Sequence, residues 1–223
     1  MLFVFDRLLR MGPPGHIDQL RKQLADTPID SMFNLVRLEQ VEQETIMRIR
    51  QSLENDGVFC SSSSFRNLLM WAHYADSHRG AVIEFTPNIE KDSVFLASKP
   101  VKYSTERPVL YANPQEFLQN TITLSKAESG RVALERMVFT KSQDWEYEHE
   151  FRLYVPGCIE PGLTNILMPY HPEEVTSVFL GCRVDADNQD HAIQAAISIN
   201  PSVRVFRASP SPLHYSLEFE RII

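Results

Sequence analysis

The sequence predicts a single-domain α+β protein, and three observations carry that prediction. Helical periodicity dominates up to about residue 57, short strand-like apolar runs bounded by Gly, Pro, Asn or Asp take over from Val58, and the strands crowd late instead of alternating evenly with helices. A doubly wound parallel sheet would alternate the two element types throughout. We therefore expect an N-terminal helical segment, residues 1–57, and an α+β core, residues 58–223, in one compact domain with a mixed or antiparallel sheet and packed helices.

Taken in order, Leu2, Phe5, Leu8 and Leu9 follow helical spacing until "GPPG" at Gly12 to Gly15 stops them, and Asp18 to Leu24 is a short helix candidate. Ile29 to Leu53 repeats apolar residues at threes and fours and ends at "NDG". "VFCSS" from Val58 reads as a strand. "SFRNLLMWAHYADSH" then reads as a helix with Ser63 or Ser64 as N-cap and Gly80 as C-terminal cap, and "AVIEF" as the next strand. Val101 to Ser104 is a short strand, Pro114 to Thr123 and Ala127 to Phe139 are helices, and Glu150 to Val155 is a strand. Strands follow at Ile166 to Met168 and Val175 to Leu180, then a helix at Asn188 to Ile199 and strands at Val203 to Arg207 and Leu213 to Ile222. In the last of these Leu213, Tyr215, Leu217 and Phe219 share the buried face.

The composition narrows the function classes. With 223 residues, 43% hydrophobic and 23% charged, the chain buries one large core without a disulfide or metal staple. A net charge of −7 disfavours general attraction to nucleic acid. Cys60, Cys158 and Cys182 show no CxxC spacing, so we expect buried free thiols in a reducing cytoplasm. The start carries Asp6 within its apolar run and lacks a cleavage signature, and no run reaches the roughly 20 apolar residues of a membrane span, so a cytoplasmic protein that does not enter the membrane is expected.

Two constellations carry chemistry. In the first, Ser61, Ser62, Ser63 and Ser64 join a strand to a helix, where hydroxyls serve as caps or, with the helix N-terminus, receive an anionic group. At 100° per residue, Phe65, Leu68, Leu69, Trp71, Ala72 and Ala75 fall on the packing arc, while Arg66, Asn67, Met70, His73, Tyr74 and Ser77 fall opposite and form a candidate cleft wall. His73 and His78 are five apart, which is not the spacing of a helical metal site, and no metal is expected. In the second, "KSQDWEYEHEFRLYV", the part from Trp145 to Val155 read as extended puts Glu146, Glu148, Glu150 and Arg152 on one face, neighbours about 7 Å apart. Aligned carboxylates repel, so one is either kept partly protonated for acid/base work, or both hold substrate hydroxyls and a developing cation. The plainer alternative is a solvated charged face neutralised by Lys141 and Arg152.

The segments "NLLMWAHYADSHRGAVIEF" and "KSQDWEYEHEFRL", followed by "VTSVFLGCRV", resemble the bacterial and phage family called domain of unknown function 2971, over about Val58 to Ile223. Trp71, His73, Tyr74, Ala75, His78, Gly80, Lys141, Trp145, Glu148, Glu150 and Arg152 stand where that pattern places them. The first strand and the "FNDP"-like turn common in that family are not found here. The resemblance implies a fold and a pocket, and no activity. A second resemblance bears on chemistry: "FCSSSS" and "EYEHE" are similar to the second and third motifs of ADP-ribosyltransferases, a serine-bearing strand and a Glu-x-Glu before another strand. It implies that Glu150 holds the nicotinamide ribose and stabilises an oxocarbenium-like state. Glu148 would position or deprotonate an acceptor, and Ser61, Ser62 and Ser63 would support the strand.

The sequence thus sets an NAD-using transferase or glycohydrolase-like enzyme, with Glu150, Glu148, His73 and Tyr74 catalytic, against two alternatives. In the enzyme reading, Ser61, Ser62, Ser63, Arg66, Trp71, Lys141, Trp145 and Arg152 bind NAD or another small nucleotide-like ligand. One alternative is a non-catalytic ligand- or protein-binding module in phage or anti-phage biology. The other is a metal-dependent phosphoesterase using Glu148, Glu150 and His73. The enzyme reading demands that the serine run, His73 or Tyr74, and both glutamates converge.

Overall fold

The structure is a computed structural model that describes residues 35–158, 165 and 167–223. The helix candidates at Leu2 to Leu9 and Asp18 to Leu24 lie outside these residues, as does the start of the Ile29 to Leu53 helix. The class is α+β, with helices, mixed and antiparallel sheets and no closed barrel among the described residues. Packing divides the chain into two units, residues 1–54 with 106–140, and residues 55–105 with 141–223.

The first unit is helical. It holds α1 (Leu35–Leu53), which packs on a second helix, Pro114–Thr123 (α3 in chain order, after the α2 of the other unit), and also α4 (Lys126–Met137). Local chemistry sets the ends: Asn113 Oδ1 accepts the Glu116 N–H at 2.8 Å with Pro114 at the first helical position, and Ser125 with Glu128 forms a reciprocal capping box. Arg136 then ties α4 to the preceding loop through Leu110 O at 2.6 Å and to Glu116 Oε1 at 3.0 Å.

The second unit carries the sheets. β1 (Gly57–Ser62) pairs antiparallel with β6 (Glu150–Val155), which also pairs with the short β3 (Lys99–Pro100), in the order β1-β6-β3. β4 (Lys102–Ser104) pairs with β5 (Thr140–Ser142). A four-stranded sheet runs β2 (Ala81–Phe85), β7 (Val175–Leu180), β8 (Arg204–Pro210), β9 (Leu217–Arg221), antiparallel except where α5 (Ala186–Ile199) crosses between the parallel β7 and β8. Central β7 is covered on both faces, with every residue but Thr176 buried, including Ser177. Val178, Leu180 and Val205 pack with Val184, Ala196 and Val203 from the α5 side. Phe179 and Ala208 pack with Trp71 and Ala75 from α2 (Leu68–Tyr74) on the other.

The sequence expectations fail at identifiable places. Helix α2 ends at Tyr74 rather than His78, because Asp76, Ser77 and His78 all take left-handed φ of 46°, 53° and 69°. Its N-cap is Asn67, whose Oδ1 accepts the Leu69 N–H at 2.8 Å, and not Ser63 or Ser64. Its C-cap is Ala75, and Gly80 instead donates its N–H to Ala75 O at 2.8 Å, closing the turn. That turn is stitched to the end of β7: Gly181 N donates to Gly80 O at 2.9 Å and Arg183 N to His78 O at 3.0 Å. A Cβ on Gly181 would fall 2.1 Å from His78 O, so only glycine fits the approach. Residues 167 and 168 form no strand. β9 begins at Leu217, leaving Leu213 and Tyr215 exposed where alternation had put them inside. Leu69, assigned to the packing arc, is 49% exposed. The expectation of buried thiols also fails, since Cys60 is exposed and Cys158 and Cys182 are half-buried.

Candidate functional site

The largest correction concerns "KSQDWEYEHEF", which is not one extended strand. Gln143–Glu148 is a 3-10 helix started by Ser142, whose side chain accepts the Asp144 N–H, and stopped by His149 at a left-handed φ of 46°. Strand β6 begins only at Glu150. Strand alternation therefore does not relate Glu146, Glu148 and Glu150. Glu146 is exposed, whereas Glu148 and Glu150 are buried, at 3% and 6% exposure, and the left-handed residue between them lets both carboxylates turn to one cation.

That cation is Lys141, one residue into β5. Its Nζ donates to Glu148 Oε2 and to Glu150 Oε2, the latter at 3.0 Å. Arg152, two residues along β6, forks onto Glu150 from Nε to Oε1 at 2.7 Å and from Nη2 to Oε2 at 3.0 Å. The Tyr74 phenol donates to the remaining Glu148 oxygen, Oε1, at 2.7 Å. Both buried carboxylates are thus matched by two cations, which is what burial of charge demands.

The electrostatics follow. Burial alone would raise the Glu150 carboxyl, but hydrogen bonds from Arg152, Cys60 and Lys141 outweigh it and hold the group at about 2. Glu150 is an ionised carboxylate, so the expectation that like-charge repulsion keeps one glutamate partly protonated does not hold for it. The reason is that Arg152 forks onto Glu150 while Lys141 stands between the pair. Burial would lower the Lys141 ammonium, and the two glutamates reverse this and raise it. The hydrogen bond to Glu148, with burial, pushes the Tyr74 phenol up to about 12. Cys60 pairs with Arg152 across β1 and β6. The residue is exposed as a whole, yet its thiol is desolvated beside Glu150, and the two effects push it up to about 11, leaving a neutral thiol near pH 7.

The serine run supports this arrangement from 86 residues away. Ser62 lies opposite Glu150 in the β1-β6 register, and its hydroxyl donates to Glu148 O at 2.6 Å. Ser63 N donates to His149 O at 3.1 Å, which secures the left-handed turn, while Ser61 pairs with Phe151 and is exposed. The hydroxyls of Ser62 and Ser63 are thus directed at main-chain carbonyls, which is scaffolding of the glutamate turn rather than anion binding at a helix end.

The aromatic residues divide between two roles. Trp71 is 1% exposed with its indole N–H on Phe65 O at 2.6 Å, so it belongs to the core and does not line a cleft. Arg66 lies over the rings of Phe65 and Phe219, at 4.9 and 5.8 Å, instead of beside His73. By contrast His73, Tyr74 and Trp145 are exposed next to the acidic pair, and Lys141 Nζ lies 5.1 Å from the Trp145 ring centre.

Tyr147 and Tyr103, which the sequence did not single out, complete the site together with Asn67 of the candidate cleft wall. Tyr147 reaches His73 Nδ1 through its hydroxyl at 3.1 Å. Asn67 Nδ2 donates to Tyr147 O at 3.2 Å, so one side chain both caps α2 and fastens the 3-10 helix. Tyr103 on β4 accepts the Glu150 N–H at 2.8 Å. Tyr147 was readable only with the 3-10 register in hand, and nothing in "VKYS" announces Tyr103.

Among the described residues no group of three or more His, Cys, Asp or Glu is arranged to hold a metal ion, and Lys141 sits between the two glutamates that a metal would need. A concavity of about 380 Å³ lies elsewhere, lined by Asn88, Ile89, Glu174 and Thr176 among others. Its buried Glu174 is engaged by the N–H groups of Asn88 and His171, so it is a structural fastening. No described helix is long and apolar enough to cross a membrane.

Compared with known proteins, residues 70–153 match the family model described as "Protein of unknown function (DUF2971)", which is the family that the motifs resemble. The match takes in His73, Tyr74, Lys141, Trp145, Glu148, Glu150 and Arg152, and leaves the serine run outside it. No curated protein and no solved structure matches the chain.

Proposed function

We propose that this protein is an NAD-using enzyme of ADP-ribosyltransferase-like or glycohydrolase-like chemistry, acting in the cytoplasm, with Glu150 and Glu148 at its centre. The observation that carries the reading is convergence. A serine-bearing strand, a helix with an exposed His-Tyr pair and a Glu-x-Glu turn, distant in sequence, meet around two buried carboxylates.

In this reading the nicotinamide–ribose bond breaks with its electron pair leaving on the nicotinamide nitrogen, and positive charge develops on the ribosyl carbon. Glu150, ionised at any pH above about 2, is the group that stabilises that charge. Glu148 orients the incoming nucleophile, a water or an acceptor hydroxyl, and receives its proton, while the Tyr74 phenol fixes the carboxylate plane. Lys141 stands between the two glutamates, so the substrate must draw its ammonium aside. A long stem with a side chain 22% exposed permits that movement.

A second reading, a non-catalytic ligand-binding module in phage or anti-phage biology, is favoured by the complete pairing of the charge cluster. Nicotinamide release from NAD, followed by chromatography with the wild type and with Glu150→Gln, separates the two. Release that disappears in the variant supports the enzyme, and binding of NAD without release in the wild type supports the module.

A further inference from the structure

We infer that Trp145 and His73 form the seat for a planar nitrogen heterocycle carried on a ribose, with Tyr147 holding the imidazole in place. This rests on the nucleotide-using reading above and names the part of the ligand that this face takes. Trp145 is 39% exposed on a short 3-10 helix, although the chain places its other tryptophan, Trp71, in the core at 1%. That exposed part of the Trp145 indole is open to a ligand. Around it three rings from two distant segments meet at mutual tilts: His73 and Trp145 at 6.4 Å and 63°, Trp145 and Tyr147 at 6.0 Å and 36°, His73 and Tyr147 at 6.2 Å and 63°. These spacings are too close for a guest between the rings and suit one stacked on the open side of the corner.

The polar handles agree. The Tyr147 hydroxyl occupies His73 Nδ1, which leaves Nε2 as the nitrogen for a ring substituent or ribose hydroxyl. Lys141 joins the Trp145 ring to the two glutamates, so a ring seated here carries its ribose toward the carboxylates. A flat heterocycle with a sugar is the chemistry that uses both halves; a bare sugar phosphate uses only one.

The two tryptophans make the test direct, because Trp145 is the accessible one. The full chain is titrated with nicotinamide mononucleotide, with AMP and with ribose 5-phosphate, following tryptophan emission and, separately, heat of binding. We expect both ring-bearing ligands, or one of them, to quench emission, ribose 5-phosphate to leave it unchanged, and Trp145→Leu to weaken binding by roughly an order of magnitude, with Trp145→Tyr restoring most of it. Quenching by nicotinamide mononucleotide alone assigns the seat to nicotinamide, and by AMP alone to adenine. Equal quenching by ribose 5-phosphate, no quenching at millimolar ligand, or affinity changed less than threefold in a folded Trp145→Leu overturns the inference. Stacking without any turnover of NAD leaves the seat standing and removes the enzyme reading, whereas turnover with unchanged affinity in Trp145→Leu does the reverse.

Discussion

The Tyr74 phenol donates to Glu148 Oε1 at 2.7 Å, linking the last residue of α2 to the last residue of a 3-10 helix 74 positions later. Glu148 is almost fully buried, so this donor matters more than a surface hydrogen bond. Tyr74→Phe leaves one carboxylate oxygen without it and is expected to cost about 1–2 kcal/mol. Urea unfolding checks this, and a cost under about 0.5 kcal/mol would show that solvent replaces the phenol.

Lys141 holds two carboxylates, and its loss should exceed that of Tyr74. Lys141→Met leaves Glu148 facing Glu150 with only Arg152 as a cation, and breaking a buried pair on one side costs roughly 3–5 kcal/mol. The same urea series ranks the variants. If Lys141→Met proves milder than Tyr74→Phe, the bridging contact is not what holds the glutamates.

The pH dependence has a definite sign. The Glu150 carboxyl falls from 4.5 to about 2 on folding, so its contribution is fully present above pH 4.5 and is lost as pH falls toward 2. With a side chain only 7% exposed, this amounts to on the order of 3 kcal/mol. Glu150→Gln should lack that part of the acid limb. Parallel wild-type and variant stability curves between pH 5 and 2.5 would refute it.

How much of this was legible depended on whether local rules and tertiary contacts agreed. Strands at Glu150–Val155 and Val175–Leu180 and the helix at Pro114–Thr123 were readable to the residue, because apolar run, cap and proline point the same way. The Glu-x-Glu-x-Glu spacing misled, since a period of two aligns side chains only in a strand, whereas in a 3-10 helix of three residues per turn Glu146 and Glu148 point different ways, and His149 carries no sequence mark of its φ. The candidate residues Glu148, Glu150, Lys141, Arg152 and Tyr74 do come together; Arg66 went astray because the helix starts later than the serine run suggested, and Trp71 keeps the core position that its packing arc gave it instead of reaching a ligand. Tyr103 and Asn67 act through main-chain bonds that only the fold creates.

The turn behind α2 offers a separate check. Gly181→Ala places a methyl 2.1 Å from His78 O, against backbone that cannot yield easily, and is expected to cost on the order of 3 kcal/mol. Gly80→Ala meets Ala75 backbone at 3.0 Å and should cost less. Thermal melts with the order reversed would contradict the stitching of this turn to the end of β7.

The central claim, that the buried carboxylates act on a nicotinamide–ribose bond, is tested most directly by nicotinamide release from NAD in wild type, Glu150→Gln and Tyr74→Phe measured together. The account predicts release by the wild type, a loss of about a hundredfold or more in a folded Glu150→Gln, and a smaller loss in Tyr74→Phe. Release unchanged in Glu150→Gln, or none from the wild type with NAD bound, would contradict it.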